Sequence, residues 1–266
     1  MKNAILAQLP PSFPWSDRIH WYDTIDSTND EAKRRALEGA PHGTVLIAGH
    51  QTGGRGRLGR TFQSPAGKGV YLSVILRPEC PPQQLMHLTC AAAVAMCNAV
   101  ENTAGFRPGI KWTNDLVFQR RKLGGILTEL SIAPETGFVR YAIIGIGINC
   151  TQEAQDFPPE IRDMASSLSA SAEKKIPPHK LAASMVSALH CMDSALMTNR
   201  AATLDCYRAD CVTLGQEIVL IRGEEKQYGI ALDIDEEGGL IVRFRDNSIR
   251  TVTSGEVSVR GMYGYL

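Results

Sequence analysis

The chain has 266 residues, and its 28 Lys+Arg balance 28 Asp+Glu, so it lacks the overall basic footprint of a nucleic-acid binder. Hydrophobic content of 44% with 21% charged residues is ordinary for a soluble globular protein of one large domain, or one plus a small appendage. Seven cysteines with no Cys-x-x-Cys exclude a disulfide framework and a zinc knuckle, and no apolar run reaches the ~20 residues that span a bilayer.

Met1 to Trp15 lacks a long apolar stretch and is broken by Pro10, Pro11 and Pro14, so no signal peptide is read and a cytoplasmic location is expected. Ile19 to Thr24 reads as a short strand. Ser27 and Thr28 then start a helix, with Thr28-x-x-Glu31 in the pattern of a capping box and Gly39 as the stop. Thr44 to His50 is an apolar strand that feeds a Gly/Arg segment. Gly69 to Leu76 is another strand, and Gln83 to Thr103 carries an Ala-rich helical pattern closed by Gly105. Ile110 to Leu130 reads as strand–turn–strand around Gln119-Arg120-Arg121. Arg140 to Asn149 is a strand with Gly145 and Gly147 inside it, where glycine marks close approach of a ligand or another backbone. Thr151 to Ser167 reads as a loop, followed by helices over His179 to Thr198 and Ala201 to Cys211. From residue 213 the pattern switches to alternation, as in Ile230, Leu232, Ile234 and Leu240, Val242, Phe244. This predicts a small all-β unit over 213–266. The region over 1–212 mixes strands and helices without βαβα order, which predicts an α+β class.

The segment Gly54-Arg55-Gly56-Arg57-Leu58-Gly59-Arg60 places three glycines and three arginines in seven residues. Glycine permits φ > 0 and close approach of backbone N–H groups. Arginine supplies a permanently charged fork that matches phosphate or carboxylate. The string Gly54-x-Gly56-x-x-Gly59 matches the dinucleotide fingerprint, but Pro65 and Gly67 follow instead of an apolar helix, so a Rossmann reading fails. A loop that folds over an anion is expected.

A second rich segment is Lys111-Trp112-Thr113-Asn114-Asp115, followed by Arg121-Lys122-Leu123-Gly124-Gly125. A lysine beside Gly-rich backbone can neutralise a transferring phosphoryl group. Asn114 and Asp115 offer oxygens of the kind Mg²⁺ accepts in small number. A turn at Asn114-Asp115 and a solvated Lys122 account for the same residues. Likewise, helix capping alone accounts for Ser27, Thr28 and Asn29. No histidine pair has metal-ligand spacing, and neither Gly-x-Ser-x-Gly nor a Walker loop occurs.

The order of the pieces is more specific than any one of them. Asp26-Ser27-Thr28-Asn29, Gln51 to Arg60, Lys111 to Asp115, Arg121 to Leu127, Gly145 to Asn149 and Ser254 to Arg260 together resemble a biotin–protein ligase, over residues 20 to 262. The resemblance implies a catalytic domain like the class II aminoacyl-tRNA synthetases over 1–212 and an SH3-like barrel over 213–266. It implies that biotin and ATP are joined, with Mg²⁺, to biotinyl-5′-AMP and pyrophosphate. Biotin is then passed to one lysine of a biotin carboxyl carrier protein.

Carried over by position, Lys122, Arg55 and Arg57 are the implied catalytic residues. Ser27, Thr28, Asn29, Gln51, Gly54, Gly56, Lys111, Asn114, Gly125, Gly147 and Asn149 are the implied biotin and adenylate contacts. Asp115 is the implied Mg²⁺ ligand. Thr113 stands where the family usually has Pro, and Gly53 where Ala is common. Only 26 residues precede Ser27, so no N-terminal helix-turn-helix domain, no operator binding and no membrane contact are expected. Family members often form homodimers through the catalytic sheet. A lipoate or octanoate ligase of related fold is the nearest alternative, and a non-catalytic binding module is a second.

Overall fold

A computed structural model describes residues 1–222, 225–253 and 258–260. Its elements in chain order are α1 (Lys2–Leu6), β1 (Ile19–Tyr22), α2 (Thr28–Leu37), β2 (Thr44–Ala48), β3 (Gly69–Leu76), α3 (Leu88–Ala104), β4 (Gly109–Lys111), β5 (Asp115–Phe118), β6 (Arg121–Ile132) and β7 (Val139–Asn149). Helices α4 (Leu168–Ser171), α5 (Pro178–Ala195) and α6 (Arg200–Asp210) follow. The chain then forms β8 (Glu217–Arg222), β9 (Glu225–Ile234), β10 (Leu240–Phe244), β11 (Ile249–Val252) and β12 (Ser258–Arg260). Residues 254–257 of the Ser254–Arg260 motif lie outside the described residues.

The first seven strands form one sheet in the order β1-β2-β3-β7-β6-β5-β4. Only β1 and β2 run parallel, with α2 as their crossover; every other neighbouring pair is antiparallel. This single βαβ unit on an antiparallel sheet gives the mixed α+β class expected from sequence. The last five strands form an antiparallel sheet in the order β11-β10-β9-β8-β12.

Side chains on a strand alternate between faces. Val70, Leu72, Val74 and Leu76 of β3 and Ala142, Ile144, Ile146 and Ile148 of β7 point into the main core with α3 and α5. Ile75, Tyr141 and Ile143 point to the opposite face, where Ala32 and Ala36 of α2 cover them. Burial on both faces explains why β3 and β7 read as unbroken apolar runs. On the α2 side the residues of β7 shrink to Gly145 and Gly147, in register with Leu127 and Gly125 of β6. That stretch of sheet has little side chain of its own, and it becomes the floor of a cavity.

Two expectations are corrected. Helix α2 is capped by Ser27, whose Oγ accepts from the Asp30 N–H, rather than by a Thr28–Glu31 box. Thr28 Oγ1 is engaged with Gln51, and Glu31 pairs with Arg34 and Arg35. The stretch over 110–130 contains three strands, because Trp112–Asn114 interrupts it between β4 and β5. Helix α1 carries no strong sequence signal, and its buried Ile5 joins the main core. The turn at Gln119-Arg120 has positive φ at both residues (48° and 63°), the hairpin geometry that matches strand twist.

The two sheets share one apolar core, to which Ile218, Leu220, Ala231, Leu240 and Val242 contribute. Polar links cross as well. The Trp112 Nε1–H donates to Gly238 O at 2.9 Å, and Arg208 Nη2 donates to Ile234 O at 2.7 Å. No helix among the described residues is long and apolar enough to cross a membrane.

Candidate active site

The cavity lies over the glycine floor of β6 and β7 and is partly open to solvent. The start of α2, Gln51, the Gly/Arg loop, the β4–β5 break and Lys122 close around it.

At one end, consecutive polar residues are buried in an ordered network. Gln51 Oε1 accepts from the Thr28 N–H at 2.8 Å and from Thr28 Oγ1 at 3.1 Å, while Gln51 Nε2 donates to Ser64 Oγ at 2.9 Å. The Ser73 hydroxyl lies 2.6 Å from Asn29 Oδ1, which only accepts, so the proton points there. Asn29 Nδ2 donates to Glu129 Oε2 at 2.9 Å, and Lys33 holds the other Glu129 oxygen at 2.8 Å. Ser27, Thr28 and Asn29 are each under 5% exposed. A Cβ at Gly145 would collide with the Asn29 amide, so glycine is required there.

The Gly/Arg segment is a narrow turn over the cavity. Phe62 N–H donates to Gly54 O at 2.9 Å, and Arg55 bridges to Thr61. The only left-handed residues in it are Leu58 (φ 56°) and Gly59 (φ 72°); Gly56 is extended. The Phe62 ring packs on Gly147, where a Cβ would collide with it, and meets Tyr71 edge-on. Arg55 Nη1 pairs with Asp30 Oδ1 at 2.5 Å. Arg57 reaches across the cavity: its Nη1 donates to Asn114 Oδ1 at 2.9 Å, and Asn114 Nδ2 donates to Ile126 O. Arg57 Nη2 is buried without a partner among the described residues. Burial pulls the Arg57 guanidinium below its usual pKa, although the nearby Asp115 opposes this. A partly desolvated guanidinium with a spare donor is suited to an anion.

Lys122 sits opposite, its Nζ 2.6 Å from Asp115 Oδ1. Its backbone is held on the second side by the segment after β7, since Lys122 N–H donates to Met164 O and Lys122 O accepts from Ser166 N–H. Lys111 lines the same wall and is 9% exposed.

Of the residues singled out in the sequence, Ser27, Thr28, Asn29, Gln51, Arg55, Gly56, Arg57, Lys111, Asn114, Asp115, Lys122, Gly125 and Gly147 all line this cavity. Gly54 and Asn149 do not. Gly54 is buried against Phe62 O and Ser64 Oγ and lets the loop fold tightly. Asn149 donates to Ser166 O at 3.0 Å and accepts from Gln152 at 3.1 Å, behind Lys122. Ser73, Glu129 and Asp30 belong to the network and were missed. A lone Ser in an otherwise apolar strand, Gly-Val-Tyr-Leu-Ser-Val-Ile-Leu, was the available signal for Ser73.

Fold and cavity together define a two-part α+β protein with a cationic, polar-lined site beneath a Gly/Arg loop. Residues 21–149 match the model of the Biotin/lipoate A/B protein ligase family, and residues 213–260 match the Biotin protein ligase C terminal domain. The bifunctional ligase/repressor BirA of Bacillus subtilis is 36% identical over 243 residues, covering 90% of this chain and 73% of that protein. The biotin–[acetyl-CoA-carboxylase] ligase of Mycobacterium tuberculosis is 30% identical, covering 87% and 85%. Among solved structures, the biotin protein ligase from Aquifex aeolicus in complex with biotin and ATP superposes with a TM-score of 0.77 at 29% identity, over 92% of this chain and 99% of that one. The chain belongs to the biotin protein ligase family.

Proposed function

We infer that the cavity binds biotin and ATP, joins them as biotinyl-5′-AMP with release of pyrophosphate, and passes the biotin to a lysine of a biotin carboxyl carrier protein. The observation that carries this is the spatial union of two unlike ends in one cavity. The Thr28–Asn29–Gln51–Ser73 network supplies buried donors and acceptors suited to a ureido group. Arg57 and Lys122 supply cations some strands away.

The reaction brings two anions together, because the biotin carboxylate attacks the α-phosphorus and displaces pyrophosphate. Lys122 and Arg57 offset that repulsion and the charge that builds in the transition state. Lys122 starts paired with Asp115 and exchanges that partner for the phosphoryl oxygen. Arg55 and Arg57 carry the loop over the product, which excludes water from a hydrolysable mixed anhydride. The neutral acceptor ε-amine then attacks the acyl carbon, the bond from that carbon to the phosphate oxygen breaks, AMP leaves with the electron pair, and the nitrogen gives up a proton to solvent as the amide forms.

Asp115 supplies one carboxylate at the phosphate end, and among the described residues no cluster of three acidic, His or Cys side chains occurs. A single carboxylate fits Mg²⁺, which takes most of its ligands from phosphate and water and would neutralise phosphate charge when bound. We assign residues 1–212 to a class II aminoacyl-tRNA synthetase-like catalytic domain and 213–266 to an SH3-like domain. A cytoplasmic location completes the reading, and the seven free thiols support it. Adenylate formation with biotin against lipoate tests the reading, with turnover expected for biotin alone. Preference for lipoate would move the chain to the related lipoate ligases.

A further inference from the structure

We propose that Asp30 is a positioning residue that ties the Gly/Arg lid to the biotin end of the cavity. Asp30 lies one residue beyond Asn29, in the first turn of α2, and its backbone is fixed there by the Ser27 cap. Ser27, Thr28 and Asn29 are buried, whereas Asp30 faces the loop and pairs with Arg55 at 2.5 Å. Behind it runs a continuous charged chain. Lys33 Nζ lies 3.5 Å from Asp30 and 2.8 Å from Glu129, and Glu129 accepts from the Asn29 amide. The lid arginine is thereby connected through Asp30, Lys33 and Glu129 to Asn29, a side chain at the floor of the cavity.

The two lid arginines have different posts. Arg57 holds the β4–β5 break through Asn114, and Arg55 holds α2 through Asp30. A ligand that orders Asn29 steadies Glu129 and Lys33, and so keeps Asp30 set for Arg55. Asp30 touches no reacting atom. Its effect is on how long the lid stays over the adenylate, and this role rests on the reading given under Proposed function.

The test is a cycle of Asp30→Asn, Arg55→Gln and the double variant in the full chain. Each is loaded with biotin, ATP and Mg²⁺, and release of biotinyl-5′-AMP is timed. Asp30→Asn should speed release by roughly two- to five-fold, the scale of a half-exposed ion pair. The effect should shrink near 1 M salt, where the screening length is about 3 Å. In the Arg55→Gln background Asp30→Asn should add nothing. Unchanged release in Asp30→Asn, or effects that multiply independently, would overturn the proposal. A purely structural role in the first turn of α2 predicts that independent result, because it does not depend on Arg55. A wild-type protein that forms no adenylate would overturn the ligase reading and this link with it.

Discussion

Arg57 and Asn114 join across the cavity: the guanidinium of one donates to the side-chain carbonyl of the other at 2.9 Å. Asn114 is itself fixed, because its Nδ2 donates to Ile126 O and its backbone oxygen accepts from the Ile126 N–H. The lid arginine is therefore aimed by a rigid part of the sheet, with its second amino group left to meet an anion. Asn114→Ala removes a hydrogen bond to a charged group, worth about 1.5–3 kcal/mol. Adenylate affinity should fall by about ten-fold or more, with the fold retained by circular dichroism. Wild-type adenylate retention in that variant would show that Arg57 needs no such aim.

Arg57→Gly deletes the cation that spans the cavity. Adenylate should form, leave early and label lysines on bystander proteins. Mixing the variant with a non-carrier protein and counting biotins by mass spectrometry checks this. Labelling no greater than that by the wild type would contradict the lid role.

Gly145 shapes the Asn29 end of the cavity by having no side chain. A methyl group there meets the Asn29 amide, which is tied to Ser73 and Glu129 and has nowhere to retreat. Gly145→Ala should cost about 1–3 kcal/mol in overpacking and should weaken biotin binding by calorimetry. Unaltered biotin affinity would place the ureido group away from Asn29.

His87 gives stability a pH dependence remote from the site. It is 1% exposed at the start of α3, with Nε2 3.1 Å from Leu196 O. Burial pulls its pKa below the ordinary value of a histidine. The unfolded chain then binds a proton that the folded chain resists, so this stability is complete above about pH 6.5 and is lost as pH falls towards the depressed folded value. His20 shifts the same way, also chiefly through burial. His87→Gln should flatten, without abolishing, the loss of denaturation midpoint between about pH 7 and 5. An unchanged slope would mean that His87 takes up its proton as readily in the folded chain as in the unfolded one.

Much of the site was legible because its chemistry is written in short, dense runs. Gly54–Arg60, Lys111–Asp115 and Lys122–Gly125 each show composition that a plain surface loop does not need. What the runs do not show is which member faces the ligand. Gly54 and Gly56 look equivalent in sequence, yet Gly54 is packed against Phe62 and Ser64 while Gly56 lines the cavity. Asn149 shares strand parity with Gly145 and Gly147, but the segment around Ser166 takes its amide. Ser73, Glu129 and Asp30 are single residues in ordinary strand and helix patterns, and their roles arise only where the sheet and the Gly/Arg loop meet the first turns of α2. The fold class was legible from the irregular order of strands and helices. The β4–β5 break was legible only in part: Asn114-Asp115 reads as a turn, but Trp112 and Thr113 carry no glycine or proline to set its start.

The most direct measurement pairs the wild type with Lys122→Ala. Lys122 is half-buried and faces Asp115, so its removal should leave the denaturation midpoint nearly unchanged. With ATP, Mg²⁺, biotin and a carrier domain, the wild type should support biotin-dependent ATP–pyrophosphate exchange and add one biotin, by mass, to a single carrier lysine. Folded Lys122→Ala should do neither. Near-normal pyrophosphate exchange by that variant would contradict the account.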